Sequence, residues 1–280
     1  MIGKASLPIT RALAAMPKWF NTAGPCQADI HYMLPPLARI PQLEQLIEQR
    51  GYFVIHAPRQ TGKTTAMLSL AQQLTASEKY AAVMVSAEVG APFPHDPGAA
   101  EKAMLGSWHD SAEDYLPEAL HPPVWPIAEP GQRVQAALRA WAKATPLPLV
   151  VFIDEIDILQ DETLISMLRQ LRSGYPRRPQ GFPHSLALIG VRDVRDYKVA
   201  SGGSTRLNTA SPFNIKIKSL TKRNFNATEV EQLYAQHTTE TGQSFESAAV
   251  QRAFELTQGQ PWLVNALAKE VVEGLAVSIA

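Results

Sequence analysis

Ten residues, His56-Ala-Pro-Arg-Gln-Thr-Gly-Lys-Thr-Thr65, combine the types needed to hold an anion on a chain turn. An apolar run precedes them and a helical pattern follows. A glycine, a lysine and a hydroxyl residue in that setting match the phosphate-cradling pattern G-x-x-x-x-G-K-[ST]. Ala57 stands where the first glycine of the pattern stands, and Gly62-Lys63-Thr64 is intact. Backbone N–H groups from about Gln60 to Thr64 would point at the anion, helped by the helix N-terminus. Gly62 lets the backbone approach phosphate closely. Lys63 would reach the β- and γ-phosphates, and Thr64 would offer its hydroxyl to Mg²⁺. Ala57, Pro58, Arg59, Gln60, Thr61, Gly62, Lys63, Thr64 and Thr65 are therefore the expected nucleotide-binding set, with ATP and Mg²⁺ as the expected ligands.

A second constellation lies in Leu149-Val-Val-Phe-Ile-Asp-Glu-Ile-Asp157, an apolar run that ends in carboxylates. An open α/β sheet binds its ligand at the C-terminal ends of its strands. Asp154 would then hold Mg²⁺, and Glu155 would polarise the attacking water as general base. P-loop kinases activate no water, so the second acid favours hydrolysis over phosphoryl transfer to a small molecule. Asp157 either adds charge near the metal or starts the next helix.

Other candidates stand at element ends. Arg192 follows the apolar run Leu186–Val191, where its planar, permanently charged fork would read the γ-phosphate or pair with Asp193 or Asp196. Arg177, Arg178, Arg195 and Arg206 are each either surface residues or an arginine finger for a neighbouring copy. Pro261, in Gly259-Gln-Pro261, either opens the last helix or packs on the nucleotide base or sugar.

These positions need a frame. Five short runs, Tyr52–Ala57, Ala81–Ser86, Leu149–Asp154, Leu186–Val191 and Phe213–Ile217, are apolar throughout, as buried parallel strands are. Met67, Leu70, Ala71 and Leu74 recur at helical spacing after the first run. Val134, Ala137, Leu138 and Trp141 do so before the third, and Leu164, Met167, Leu168 and Leu171 after it. Such alternation predicts a three-layer α/β sandwich with a five-stranded parallel sheet. Residues 1–50 form a lead-in with a short helix at Gln42–Gln49. Residues 51–220 form the core, with a Pro-rich insertion at about 90–131 that carries a helix from about Ala99 to Leu116. Residues 221–280 form a lid of three helices, Thr228–Thr239, Ser247–Thr257 and Pro261–Val272.

Composition narrows the class further. Of 280 residues, 45% are hydrophobic and 19% charged, enough apolar surface for a large core. Lys+Arg and Asp+Glu are equal at 26 each, so no global field favours nucleic acid or membrane. Lys216–Lys222 with Arg223 is a modest basic stretch. The lone Cys26 excludes an internal disulfide, and the seven histidines show no zinc spacing. No apolar run reaches the roughly 18 residues of a membrane helix. Lys4, Pro8, Arg11 and Pro17 break any signal-peptide core, and a cytoplasmic location is expected.

The loop at His56–Thr65 resembles the A-P-R-Q-x-G-K-[ST] loop of bacterial AAA-like ATPases, close to the STAND and Orc/Cdc6-like branches of the AAA+ superfamily. Val150–Glu155 is similar to the hydrophobic-D-E strand of those families. Arg192 and Gly259–Pro261 resemble the arginine after the fourth strand and the G-x-P lid turn of STAND proteins. The resemblance covers roughly residues 30–270. It implies a P-loop NTPase fold of the ASCE/AAA+ type with a small helical lid, and an ATPase switch that hydrolyses ATP to ADP and phosphate at a slow rate. It also implies a homo-oligomer, and a protein partner or further C-terminal domains. A DNA-associated AAA+ ATPase, acting as an oligomeric loader or transposition helper, is the alternative. The chain departs from these families in Ala57 and in lacking an arginine near Gly259–Leu263.

Overall fold

The computed structural model describes residues 17–192, 215 and 218–279, and the side chains as far as Gly274. The strands are β1 (Tyr52–His56), β2 (Ala81–Ser86), β3 (Leu149–Asp154), β4 (Ser185–Gly190) and β5 (Lys218–Thr221). The first four lie where the apolar runs predict them, within a residue. The run expected at Phe213–Ile217 lies outside the described residues except for Ile215. The strands form one parallel sheet in the order β2-β3-β4-β1-β5. Strand β4 therefore runs between the strand that leads into the glycine loop and the strand that ends in Asp154.

Both sheet faces are covered, which is why the strands are apolar without alternation. On one face Phe53, Ile55, Val150, Phe152, Ala187 and Ile189 pack against α1 (Leu43–Glu48) and α2 (Lys63–Ala76). On the other, Val54, Val83, Val151, Ile153 and Leu188 meet α3 (Pro97–Tyr115), α4 (Arg133–Ala144) and α5 (Asp161–Gly174). The three-layer sandwich is thus present.

The insertion supplies α3, which is part of the core. Asp96 caps it by accepting the Ala99 N–H at 3.0 Å, and Pro97 occupies its first turn. Met104 and Trp108 are fully buried. Trp108 donates its indole N–H to the Ser86 carbonyl at 2.8 Å, which fixes the C-terminal end of β2. The buried carboxylate of Glu101 accepts the Gly131 N–H at 3.0 Å and the side-chain amide of Gln170. A buried charge needs such partners.

Three further helices follow: α6 (Ala227–Thr241), α7 (Ser247–Thr257) and α8 (Pro261–Ile279). A capping box starts α6, with Asn226 and Glu229 exchanging two 2.8 Å bonds, and Gly242 in the left-handed region ends it. The chain divides into two compact units. Pro35–Phe225 with Gln260–Trp262 makes one, and Asn226–Gly259, the helix from Leu263 and the segment ending at Leu34 make the other. In the second, Phe20 packs within 4.8 Å of Tyr32 and 5.6 Å of Tyr234, ring centre to ring centre. Gln236 donates to and accepts from the Met33 backbone at 3.0 and 3.1 Å. The lead-in is thus shared between the units at Leu34 and Pro35. No helix among the described residues is long and apolar enough to cross a membrane.

Candidate functional site

The glycine loop joins β1 to α2. Gly62 is the N-cap of α2 at φ +80°, and Gln60 takes φ +61°. Left-handed residues that alternate with ordinary ones turn successive N–H groups toward one concavity, an anion nest at a helix N-terminus. Ala57 has no positive φ, which explains why alanine serves where the general pattern has glycine. Its N–H donates to the Gly190 carbonyl at 3.3 Å, and its side chain is buried. The Lys63 ammonium donates to the carbonyls of Ala57 and Pro58 at 2.8 and 2.9 Å, so the lysine folds back over its own loop.

The end of β3 meets this loop. Thr64 donates its hydroxyl to Asp154 Oδ2 at 2.7 Å, while Asp154 Oδ1 accepts the Glu155 N–H at 2.9 Å. Asp154 is 5% exposed. Glu155 sits at φ +56°, uncommon for a residue with a side chain, and its side chain is exposed. That turn separates the two acids, one locked against the loop and one facing out. Asp157 lies in the short 3₁₀ turn Ile156–Ile158, and its carboxylate accepts the Val191 N–H at 3.2 Å. It ties the end of β4 to the end of β3, and the following helix α5 begins later, at Asp161.

The electrostatics follow from this crowding. Burial pushes the Asp154 carboxyl above the usual carboxylate range, opposed by its bonds from Thr64 and the Glu155 N–H and by Lys63. Glu155, exposed as a residue but partly desolvated by its neighbours, is raised first by that desolvation, then by the charges of Asp154, Glu88 and Asp157. Burial lowers Lys63, opposed by Asp154, Asp157 and Glu155. A divalent cation would reverse this logic for the acids. The donors fit one: a hydroxyl and a carboxylate oxygen within 2.7 Å, the hard oxygen ligands Mg²⁺ prefers.

Other expected residues have varied surroundings. Arg192 is exposed, two residues past β4, on the strand between β1 and β3. Pro261 is the first residue of α8, and the neighbouring Gln260 side chain donates to the Arg59 carbonyl at 3.4 Å. Arg178 lies 3.4 Å from the centre of the Tyr175 ring and donates to the Arg50 carbonyl, and Arg177 donates to the Ser173 carbonyl at 2.9 Å. Both are held by their own surroundings. Arg195 and Arg206, with Asp193 and Asp196, lie outside the described residues. The basic stretch is mixed: Lys218 and Arg223 are exposed, Lys222 is buried, and Lys216 lies outside the described residues. Lys222 is 1% exposed and donates to the Pro36 carbonyl at 2.7 Å, and Lys218 donates to Gln42.

Arg39 escaped sequence reasoning. It is buried beside the loop, donating to the Thr61 carbonyl at 3.3 Å and to the Arg223 carbonyl at 3.0 Å. A lone arginine in Leu37-Ala-Arg-Ile40 carries only a weak signal of this.

No family model and no curated protein matches the sequence. Solved structures do. The Walker-type ATPase PABY2304 of Pyrococcus abyssi is similar at TM-score 0.64 and 12% identity, covering 91% of this chain and 71% of that one. Cdc6p of Pyrobaculum aerophilum is similar at TM-score 0.53 and 12% identity, covering 86% of this chain and 64% of that one. With the parallel sheet order and the glycine loop at the end of β1, the fold is that of the P-loop NTPases. It is the fold that this chain shares with both of these structures.

Proposed function

We propose that this chain is an ATPase that binds ATP with Mg²⁺ at Ala57–Thr65, hydrolyses it to ADP and phosphate, and uses the cycle to drive a conformational switch. The observation that carries this reading is the 2.7 Å bond from Thr64 to Asp154, which brings the phosphate loop and the acidic strand end to one point. The fold alone would allow many reactions.

In this reading the nest from Gln60 to Thr64 holds the β-phosphate. Lys63 exchanges the carbonyls of Ala57 and Pro58 for phosphate oxygens, which its three donors allow. Thr64 and Asp154 would hold Mg²⁺, which would neutralise charge on the phosphates. Glu155 accepts a proton from water as the water oxygen bonds to the γ-phosphorus and the bond to the β–γ bridging oxygen breaks. Arg192 reads the γ-phosphate, and Pro261 packs on the base or sugar. The switch follows from losing the γ-phosphate contacts after hydrolysis.

Two variants test this. Lys63→Ala is expected to abolish ATP binding by calorimetry. Glu155→Gln is expected to keep binding while turnover falls about 10²-fold, the scale of a lost general base. Parental affinity in the first variant refutes the loop assignment, and parental turnover in the second removes Glu155 from the chemistry.

A further inference from the structure

We infer that Arg39 is a positioning residue that sets the phosphate-binding orientation of the glycine loop, an inference that rests on the phosphate-loop reading above. It touches no substrate atom and acts through one peptide plane.

The point of action is the Thr61–Gly62 peptide. A trans peptide is planar, with its C=O and N–H pointing in opposite directions. Arg39 Nη2 holds the Thr61 carbonyl at 3.3 Å. The Gly62 N–H of that plane must then point away from Arg39, toward the concave side of the loop where an anion sits. Thr61 is fully buried, so water cannot easily replace the arginine as donor to its carbonyl. Gly62, left-handed and without a side chain, bounds this plane and gives it freedom to turn. The conformation that binds phosphate therefore needs an external brace.

Arg39 is itself fixed from three sides. Its Nη1 donates to the Arg223 carbonyl at 3.0 Å, its guanidinium lies 4.3 Å from the centre of the Phe225 ring, and it is 7% exposed. The rigid fork reaches two carbonyls from separate chain segments at once, which an ammonium cannot do in the same geometry. A Cβ built on Gly62 would lie 3.6 Å from Arg39 Nη2 and 3.9 Å from Lys222 Cε. Both cationic side chains thus lie within ordinary van der Waals reach of where a Gly62 side chain would be. Lys222 extends the brace, since its backbone N–H donates to the His56 carbonyl at 3.2 Å and its Nζ to the Pro36 carbonyl. Residues 36–39 and 222–223 together clamp both ends of the β1–α2 junction.

The test measures Mg²⁺-ADP and Mg²⁺-ATP binding to the full chain by calorimetry, with Kd and the number of sites fitted separately. Arg39→Met keeps the apolar stem and removes both donors. Its Kd is expected to rise about tenfold for both nucleotides, equal to about 1.4 kcal/mol. KM should rise by a similar factor, and by more than kcat falls. Arg39→Lys keeps the charge but replaces the planar fork by a single ammonium nitrogen, and should fall between parent and Arg39→Met. A purely structural role gives a different result: fewer binding sites at the parental Kd, which overturns the inference. A parental Kd with full site number overturns it as well. If Arg39→Met does not fold, Arg39→Lys decides alone, and a parental Kd there is fatal to the idea. A parent chain that binds no nucleotide refutes the phosphate-loop reading instead, and this inference falls with it.

Discussion

Replacing Asp154 by asparagine separates what this residue costs the free protein from what it does for the ligand. The carboxylate is 5% exposed, with one oxygen on the Glu155 N–H at 2.9 Å and the other on the Thr64 hydroxyl at 2.7 Å. An asparagine oxygen can keep the first bond. Its amide can donate to the Thr64 hydroxyl, which accepts as readily as it donates. Both bonds survive, and the desolvation of a buried charge is removed. Lys63 loses a nearby charge but keeps its two carbonyl partners. Neutralising a buried carboxylate whose hydrogen bonds survive removes a desolvation cost, and a gain of about 1 kcal/mol corresponds to roughly 2 °C in Tm for a chain this long. The pH sign agrees. Burial raises the folded-state pKa of Asp154, so the stability linked to its proton is full below the unfolded carboxylate range and is lost as pH rises through the raised value. Asp154→Asn should lose that slope.

Binding should move the other way. Loss of a group that orients or holds a metal typically weakens metal affinity about 10–100-fold, or about 1.4–2.7 kcal/mol. Parent protein with ATP should therefore gain clearly more Tm with Mg²⁺ than with a chelator, and the variant should gain nearly the same in both. The order of stability inverts: the variant leads without ligand, the parent with Mg²⁺-ATP. Differential scanning fluorimetry in four conditions reads both effects. A variant less stable than the parent without ligand, yet with the parental Mg²⁺-dependent gain, would refute this account of Asp154.

Two further outcomes follow from the geometry. Arg192→Ala should weaken ATP more than ADP in a calorimetric comparison, because only ATP carries the γ-phosphate; an equal effect on both removes the sensing role. Gly174→Ala should destabilise the core by about 1–3 kcal/mol as overpacking does. A Cβ there would lie 2.2 Å from the Phe182 ring, and chemical denaturation with an unchanged midpoint would contradict that packing.

The sequence by itself determined the chemistry-bearing loop, the acidic strand end and four of the strands. Their signals are local: a glycine–lysine–threonine run after an apolar strand, and apolar runs whose length and lack of alternation mark strands buried on both faces. The helical pattern of α3 was legible too, but its place in the core was not, because burial of Trp108 against β2 depends on residues more than twenty positions away. Only the tertiary structure decided which carbonyls the cations hold. Arg39 and Lys222 read as lead-in and basic-stretch residues, yet the fold withdraws both from water and sets them behind Gly62. Asp157 was likewise ambiguous between metal and helix start, and the parallel packing of β3 beside β4 gives its carboxylate the Val191 N–H. The reason is common to these cases. A side chain's type and spacing fix what bonds it can make, but the partner is a backbone group on another strand or turn, and backbone groups carry no sequence signature.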